Sequence, residues 1–555
     1  MYNILLGGAA GQGVDTTGTI LEKLLKQAGY QIFSMKDVMS RVRGGHNFTL
    51  IRFGPEKIDS HSYKLDGIVA FNEETIEVHK KQLKPGGFIL CDASFAAEGK
   101  NITKIAMNEM AKTIGNPKVV GSIAIGAILK SFGETLEHIE TVYKHAVKSE
   151  YLDQNLQAVK QGFDSVKKHH EHKDGAYAKW MLLTGNQAIS LGAIAAGLKF
   201  YSAYPMSPST SIMEYLAGKM TEAGIVVEQA EDEIAAINMA IGASFAGAKA
   251  MTGTSGGGFS LMVEALGLSG IAEIPIVVAN IQRPGPATGL PTRTEQSDLN
   301  FMISASQGEF PRMVIAVKNH EDAFYQTIRA FNMAEKYQIP VMLLSDQYLA
   351  DSSAVVEPFD FAKIKVYQAP EPIFEGEYLR YKLTKDGISP RLIPGTKRGF
   401  VAADSDEHDE AGKIIECAEM RIKQVDKRFL KLKKLAMEIQ EPEFIGSDTY
   451  DTLLIGWGST YGPIKEAVQY LNNTSGKKFA ALLFGDVYPL PTKLLAEKVK
   501  AAKNIVNVEQ NATGQLARLI RETTSITCTA SILKYDGRQI SGEEIIAAVL
   551  KEVAK

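Results

Sequence analysis

Cysteine is scarce in this 555-residue chain: Cys91, Cys417 and Cys528 are the three present, far apart and in no C-x-x-C spacing. That excludes a disulfide framework and predicts reduced, structural thiols. A cubane iron-sulfur cluster takes four thiolates, so this chain alone cannot supply that ligand set. Charge of one sign is lacking too. Lys and Arg number 61 against 64 Asp and Glu, a formal net charge of -3, which gives no electrostatic case for nucleic acid or an anionic membrane surface. Any anionic ligand has to be held by local groups. Long apolar runs are also missing. Stretches such as Ile189 to Leu198 end well short of the roughly 18 to 20 residues that span a bilayer, so no membrane segment is expected. The opening MYNILLGGAAGQGVD has no basic residue ahead of its apolar run, and the first Lys is Lys23. It does not read as a signal peptide, and a cytoplasmic protein is expected.

What is present is length enough for three or four compact units, each with its own core. The first part alternates short apolar strands (Asn3 to Leu6, Gln31 to Phe33, Gly67 to Phe71, Gly87 to Cys91) with amphipathic helices such as Thr17 to Ala28. This predicts an α/β unit with a mostly parallel sheet. Helices dominate from Ile123 to Lys168, and KKHHEHKDG, Lys167 to Gly175, reads as a polar boundary. A second α/β unit carries buried strands at Ile274 to Ala279, Met313 to Val317 and Pro340 to Ser345. A connecting region with one long charged helix, roughly Glu410 to Ile439, leads to a last small α/β unit opening at TLLIGWGST. The expected divisions are 1–175, 176–355, 356–447 and 448–555.

Several motifs could carry chemistry. The loop GGAAGQGV, Gly7 to Val14, follows a strand and precedes a helix. Gly11, Gln12 and Gly13 could present backbone N–H groups to an anion, or form only a tight turn. Its spacing is neither the dinucleotide fingerprint nor a Walker loop, which argues against a nicotinamide-dependent dehydrogenase. The cluster SRVRGGHNF places Arg41 and Arg43 beside flexible glycines, for an anion or as a surface turn. The HHEH tract, His169 to His172, reads as a solvated tail rather than a metal site.

The informative stretch runs from Asn186 to Asp298. In YPMSPSTSIMEYL two prolines hold the chain extended as it leaves a strand, and Ser209 or Thr210 can N-cap the next helix. Ser207, before Pro208, is free to face a ligand. In VEQAEDEIAAINMAIGASF a stripe of Ile234, Ile237 and Ile241 marks a buried helix. Glu233 begins it, either as a dipole-stabilising first-turn carboxylate or aimed into a cleft. GTSGGG, Gly253 to Gly258, reads as a second glycine loop. Then comes IQRPGPATGLPTRTEQSD, in which Arg283 stands at the carboxyl end of a strand, where open α/β sheets bind ligands and a guanidinium fork suits a carboxylate.

Taken together, YPMSPST, EDEIAA, TSGGG, QRPGPATGLPTRTEQSD, SDEHDE and KYDGRQISGEEI resemble the alpha subunit of 2-oxoacid:ferredoxin oxidoreductases. The first segment, with GGAAGQGV and RVRGG, resembles the gamma subunit of the same enzymes, fused ahead of alpha. The resemblance spans nearly the whole chain. It implies a multi-domain α/β fold: a gamma-type domain, a domain like the pyrimidine-binding half of thiamine enzymes, and a transketolase C-terminal-like domain. It also implies thiamine diphosphate and Mg²⁺ shared with a separate beta subunit that carries a 4Fe-4S cluster, ferredoxin as electron acceptor, and coenzyme A as co-substrate, in a dimer of αβ pairs.

On this resemblance Glu233 contacts the aminopyrimidine ring and promotes its imino tautomer. Arg283 and Thr292 hold the substrate carboxylate and oxo group, and Ser207 adds a hydroxyl. Gly11, Gln12, Gly13, Arg41 and Arg43 form a candidate anion or CoA loop. The family's usual Y-P-I-T-P is Y-P-M-S-P here, which keeps the hydroxyl and changes the side-chain shape. The GPATGLPTRTEQSD form resembles the 2-oxoglutarate branch, which makes succinyl-CoA. Branched-chain 2-oxoacids, pyruvate and indolepyruvate stay open, as does a non-catalytic scaffold subunit, against which intact Glu233, Arg283 and Thr292 argue.

Overall fold

A computed structural model describes residues 1–40 and 44–553. The chain separates into two compact units. The first comprises Met1–Thr184, Asp351–Pro358 and Ser541–Glu543; the second comprises Gly185–Ala350, Phe359–Ile540 and Glu544–Lys555. Among the described residues no helix is long and apolar enough to cross a membrane.

The first unit is built on an eight-stranded sheet. Tyr2–Ala10 pairs parallel with Leu65–Ala70, which continues parallel to Leu83–Asp92 and Ile102–Ile105. On its other side Tyr2–Ala10 pairs antiparallel with Gly44–Gly54, followed by Gln31–Asp37, Ser353–Val356 and Met181–Thr184, all antiparallel. The sheet is therefore mixed rather than mostly parallel. The difference arises because Gly44–Gly54, whose start lies in the cluster read as a surface turn, is a long strand with His46, Asn47 and Phe48 buried. The helix Val14–Gln27 packs Ile20, Leu21, Leu24 and Leu25 into the core beside Ile4 and Phe53.

The histidine tract is exposed at His169, Glu171 and His172 as a solvated segment is, yet it is docked on the first unit and does not hang free as a tail. The amides of His169 and His170 donate to the Ser131 carbonyl at 2.9 and 2.8 Å. The His169 ring stacks on Phe88 with centroids 4.6 Å apart, and His170 stacks on Phe132 at 5.1 Å. Imidazole faces pack well on phenyl rings, and hydropathy does not register that.

In the second unit a seven-stranded sheet has the order Asp486–Tyr488, Met313–Ala316, Pro340–Asp346, Ile276–Gln282, Ala250–Thr254, Phe200–Ala203, Val226–Gln229. All pairings are parallel except the Asp486–Tyr488 edge. Its central strands, IVVANIQ and PVMLLSD, are buried throughout, which is why they read as unbroken apolar runs. A five-stranded sheet follows, ordered Glu443–Gly446, Phe479–Phe484, Thr452–Trp457, Asn504–Glu509, Ala530–Leu533. Both sheets feed one core that holds Val278, Leu344, Leu453, Trp457 and Leu482.

The long charged helix spans Ala418–Leu435. It is fastened by a buried ion cluster: Lys427 Nζ lies 2.6 Å from the Glu273 carboxylate, Lys431 pairs with its other oxygen, and Arg380 donates to the Glu273 carbonyl at 2.7 Å. Lys427 and Lys431 stand four apart and so point from one helix face.

Candidate active site

In the second unit the carboxyl ends of Phe200–Ala203, Ala250–Thr254 and Ile276–Gln282 lie side by side in register. This is the edge where parallel α/β sheets bind ligands. Three connections leave it: 204–209, the junction at Ser255, and 283–298.

Glu233 opens the helix Glu233–Phe245. Asp232 caps that helix by accepting from the Ala235 amide at 2.7 Å, so Glu233 is not needed as the cap. It is 3% exposed, and its Oε1 has no hydrogen-bond partner among the described residues. A buried carboxylate oxygen without a partner is costly. Of the expected stripe, Ile237 and Ile241 are buried while Ile234 is 49% exposed.

The GTSGGG stretch is not a loop. The strand ends at Thr254, Ser255 is the N-cap, and Gly256–Ile271 is helical from its first glycine. The glycines serve contact: a Cβ at Gly256 would lie 2.5 Å from an Asp298 oxygen, and one at Gly258 would run into Thr254 Oγ1 and Glu233 Oε1.

Arg283 follows the strand Ile276–Gln282 and is buried. Its Nη1 donates to the carbonyl oxygen of Ser207 at 2.7 Å. Burial lowers its pKa, and the negative charges of Asp298 and Glu233 act against that shift. Both carboxylates thus share its electrostatic surroundings. Burial raises the Asp298 carboxyl, opposed by a 3.0 Å bond from Asn280 Nδ2 and by Arg283.

Ser207 is exposed and reaches Arg283 through its backbone carbonyl, where its hydroxyl was the expected group. Ser209 makes no side-chain cap, since its hydroxyl turns back to the Met206 carbonyl at 2.8 Å. The 204–209 connection is held instead by Asn186, whose Nδ2 donates to Pro208 O at 2.9 Å and Ser211 Oγ at 2.8 Å. Thr292 is half-buried, in the same 283–298 connection as Arg283. The structure therefore gathers Glu233, Arg283 and Ser207 at one strand edge, with Thr292 on the connection that Arg283 begins.

Sequence reasoning missed the groups that fasten 283–298. Gln282 Oε1 accepts from the Asp298 amide at 2.9 Å. Gln296 exchanges backbone and side-chain bonds with Gln510 at 2.7 and 3.1 Å and donates to Trp457 O at 2.7 Å. Asn511 and Gln515 donate to the carbonyls of Gln296 and Ser297 at 3.0 and 2.7 Å. Buried amide side chains in VEQN were the available signal.

Comparison with known proteins decides what this edge belongs to. Residues 191–427 match the family described as pyruvate flavodoxin/ferredoxin oxidoreductase, thiamine diP-bdg, and residues 3–165 match pyruvate ferredoxin/flavodoxin oxidoreductase. The chain is 32% identical to the 2-oxoacid:ferredoxin oxidoreductase subunit alpha of a Sulfolobus species, over 99% of this chain and 96% of that protein. The chain belongs to the 2-oxoacid:ferredoxin oxidoreductase alpha subunits.

This alpha subunit is similar throughout to a solved structure, the 2-oxoglutarate:ferredoxin oxidoreductase from Magnetococcus marinus with 2-oxoglutarate, coenzyme A and succinyl-CoA bound. The TM-score is 0.93 at 31% identity, covering 100% of this chain and 99% of that one. It is also 31% identical to the 2-oxoglutarate synthase subunit KorA of Methanothermobacter thermautotrophicus, over 66% of this chain and 98% of that protein. Its reaction is the family's, a thiamine diphosphate-dependent, CoA-acylating oxidative decarboxylation of a 2-oxoacid.

In the first unit of the alpha subunit, Gly11 and Gly13 adopt φ of 92° and 78° in the turn before the helix Val14–Gln27. Gln12 pins that turn: its Oε1 accepts from the Ala9 amide at 2.7 Å and its Nε2 donates to Phe71 O at 3.0 Å. Among the described residues nothing fills the space beside either glycine. Arg41 and Arg43 lie outside the described residues. Among the described residues no group of three His, Cys, Asp or Glu side chains is placed to hold a metal ion.

Proposed function

We propose that the alpha subunit acts on 2-oxoglutarate, forming succinyl-CoA with reduction of ferredoxin, and that it supplies one wall of a site completed by a beta subunit. The observation that carries this reading is the buried, unpartnered Glu233 oxygen sharing its surroundings with the fixed guanidinium of Arg283.

The residues present fit the aminopyrimidine end of thiamine diphosphate. Glu233 offers a desolvated carboxylate oxygen, and the side-chain-free Gly258 lies against it. When bound, the cofactor supplies the electron sink for decarboxylation. Glu233 Oε1 holds and returns a proton at the edge of that ring. Arg283 binds the 2-oxoacid carboxylate, already oriented by its bond to Ser207 O. Thr292 donates its hydroxyl to the oxo group, and the Ser207 hydroxyl lines the same edge. The diphosphate, Mg²⁺ and a 4Fe-4S cluster are assigned to the beta subunit. Its docking face includes the exposed Ile234, Met239, Leu261 and Leu290; the first two lie on the Glu233 helix, Leu261 on the helix Gly256–Ile271 packed beside it, and Leu290 on the connection that Arg283 begins. The Gly11–Gln12–Gly13 turn, with Arg41 and Arg43, is assigned to an anionic group of coenzyme A.

The test is co-expression with the beta subunit and a panel of 2-oxoacids assayed with CoA and a low-potential acceptor. The highest kcat/KM is expected for 2-oxoglutarate. A higher value for pyruvate or a branched-chain 2-oxoacid overturns the substrate assignment.

A further inference from the structure

The strand Pro340–Asp346 ends on a carboxylate that no motif singles out. Asp346 is 2% exposed and stands in register with Gln282, the residue before Arg283. It accepts from the Leu349 amide at 3.0 Å and from the Ser459 hydroxyl, and the Thr294 hydroxyl beside it accepts from the Tyr348 amide at 3.3 Å. Burial pushes this carboxyl up to about 6, with those hydrogen bonds holding it back.

The Leu349 bond caps the short helix Gln347–Asp351, and an ordinary N-cap needs no more. Ser459 and Thr294, which is tied to the same helix start through the Tyr348 amide, do not belong to that helix. Thr294 lies in the 283–298 connection, two residues past Thr292. Ser459 lies in the GWGST turn, 113 residues beyond Asp346, beside the Trp457 carbonyl that accepts from Gln296.

The connection is uneven along its length. From Thr294 to Ser297 it is fastened by Gln510, Asn511, Gln515 and the Gly537 carbonyl. From Gly285 to Leu290 it is exposed. Thr292 stands where exposure gives way to restraint, so its placement depends on Thr294, the first fastened residue after it.

We infer that Asp346 is a positioning residue for substrate binding: by tying Ser459 to the helix start whose Tyr348 amide holds Thr294, it keeps the 283–298 connection against the C-terminal sheet and sets the stance of Thr292 and Arg283. This rests on the substrate role proposed above for those residues. A buried carboxylate that binds a hydroxyl of one segment and an amide of another acts as a stiff bracket, because each bond it makes is charge-assisted.

The experiment uses the complex with the beta subunit and compares Asp346→Asn, Ser459→Ala and the double variant. Each single change is expected to lower kcat/KM for the 2-oxoacid about tenfold, mainly through KM, as a misplaced binding group does. KM for CoA should hold, and the double variant should be no worse than the poorer single, as for two ends of one bond. Amide hydrogen exchange at Thr294 and Gln296 should accelerate in all three. Should Asp346→Asn not fold, Ser459→Ala carries the test, since it leaves the helix cap intact. Unchanged KM and unchanged exchange in Ser459→Ala overturn the inference. Faster exchange in a complex that oxidises no 2-oxoacid confirms the bracket while defeating the substrate reading.

Discussion

Gly258 lies where Glu233 and Thr254 leave no room for a side chain. A Cβ there would stand 2.8 Å from Glu233 Cγ and closer still to its carboxylate oxygen and to Thr254 Oγ1. The glycine is a packing requirement set in part by a carboxylate 25 residues earlier in the chain.

Gly258→Ala tests that relationship, because it removes no reactive group and displaces Glu233. The helix tolerates alanine, so the expected stability cost is the overpacking term, about 1 to 3 kcal/mol. The expected fall in kcat is about tenfold or more. Steady-state kinetics read beside a thermal melt separates the two, and an undiminished kcat would show that Glu233 has room to move without consequence.

Arg283→Lys keeps the charge and loses the fork. A lysine cannot hold the Ser207 carbonyl and a substrate carboxylate in one plane. The charge-assisted bond at stake is worth about 1.5 to 3 kcal/mol, so kcat/KM for the 2-oxoacid should fall roughly ten- to hundredfold, with the larger part in KM.

How much of this was legible beforehand follows from the range of the forces involved. Strands buried on both faces leave apolar runs, so IVVANIQ and PVMLLSD could be read, and with them the strand edge bearing Arg283. Glu233 at a helix start could be read for the same local reason. Partners distant in sequence leave no such trace: Gln296 and Gln510 lie 214 residues apart, and nothing periodic joins them. Backbone roles are also silent. Ser207 was legible as a hydroxyl, whereas its carbonyl is what grips Arg283, and any residue supplies a carbonyl. The HHEH tract misled because hydropathy scores imidazole as polar while Phe88 and Phe132 take it as a ring.

The Glu273 cluster predicts a pH effect on stability. Burial pushes the Glu273 carboxyl up, and Lys431, Lys427 and Arg380 together outweigh burial and hold it well below the usual range. A depressed carboxyl contributes stability that is complete above its unfolded value and is lost as pH falls through the folded one. Glu273→Gln should therefore be less stable than the native chain at pH 7, by about 3 to 5 kcal/mol for a broken buried pair. The gap should narrow below about pH 4. Urea melts at both pH values check it, and a gap that widens in acid would reverse the sign.

Gln12→Ala removes the side chain that bridges Ala9 and Phe71. The Gly11–Gly13 turn should loosen, raising KM for CoA several-fold while KM for the 2-oxoacid stays put. A KM for CoA that does not move takes that turn out of CoA binding.

The most direct measurement is kcat of the alpha–beta complex carrying Glu233→Gln, with 2-oxoglutarate, CoA and a low-potential acceptor. Glutamine matches the shape and leaves the helix cap at Asp232 intact, so folding and beta-subunit binding should be retained. The account predicts a fall in kcat of about a hundredfold or more, the scale of a lost proton-transfer group. A complex that keeps most of its native kcat would contradict it.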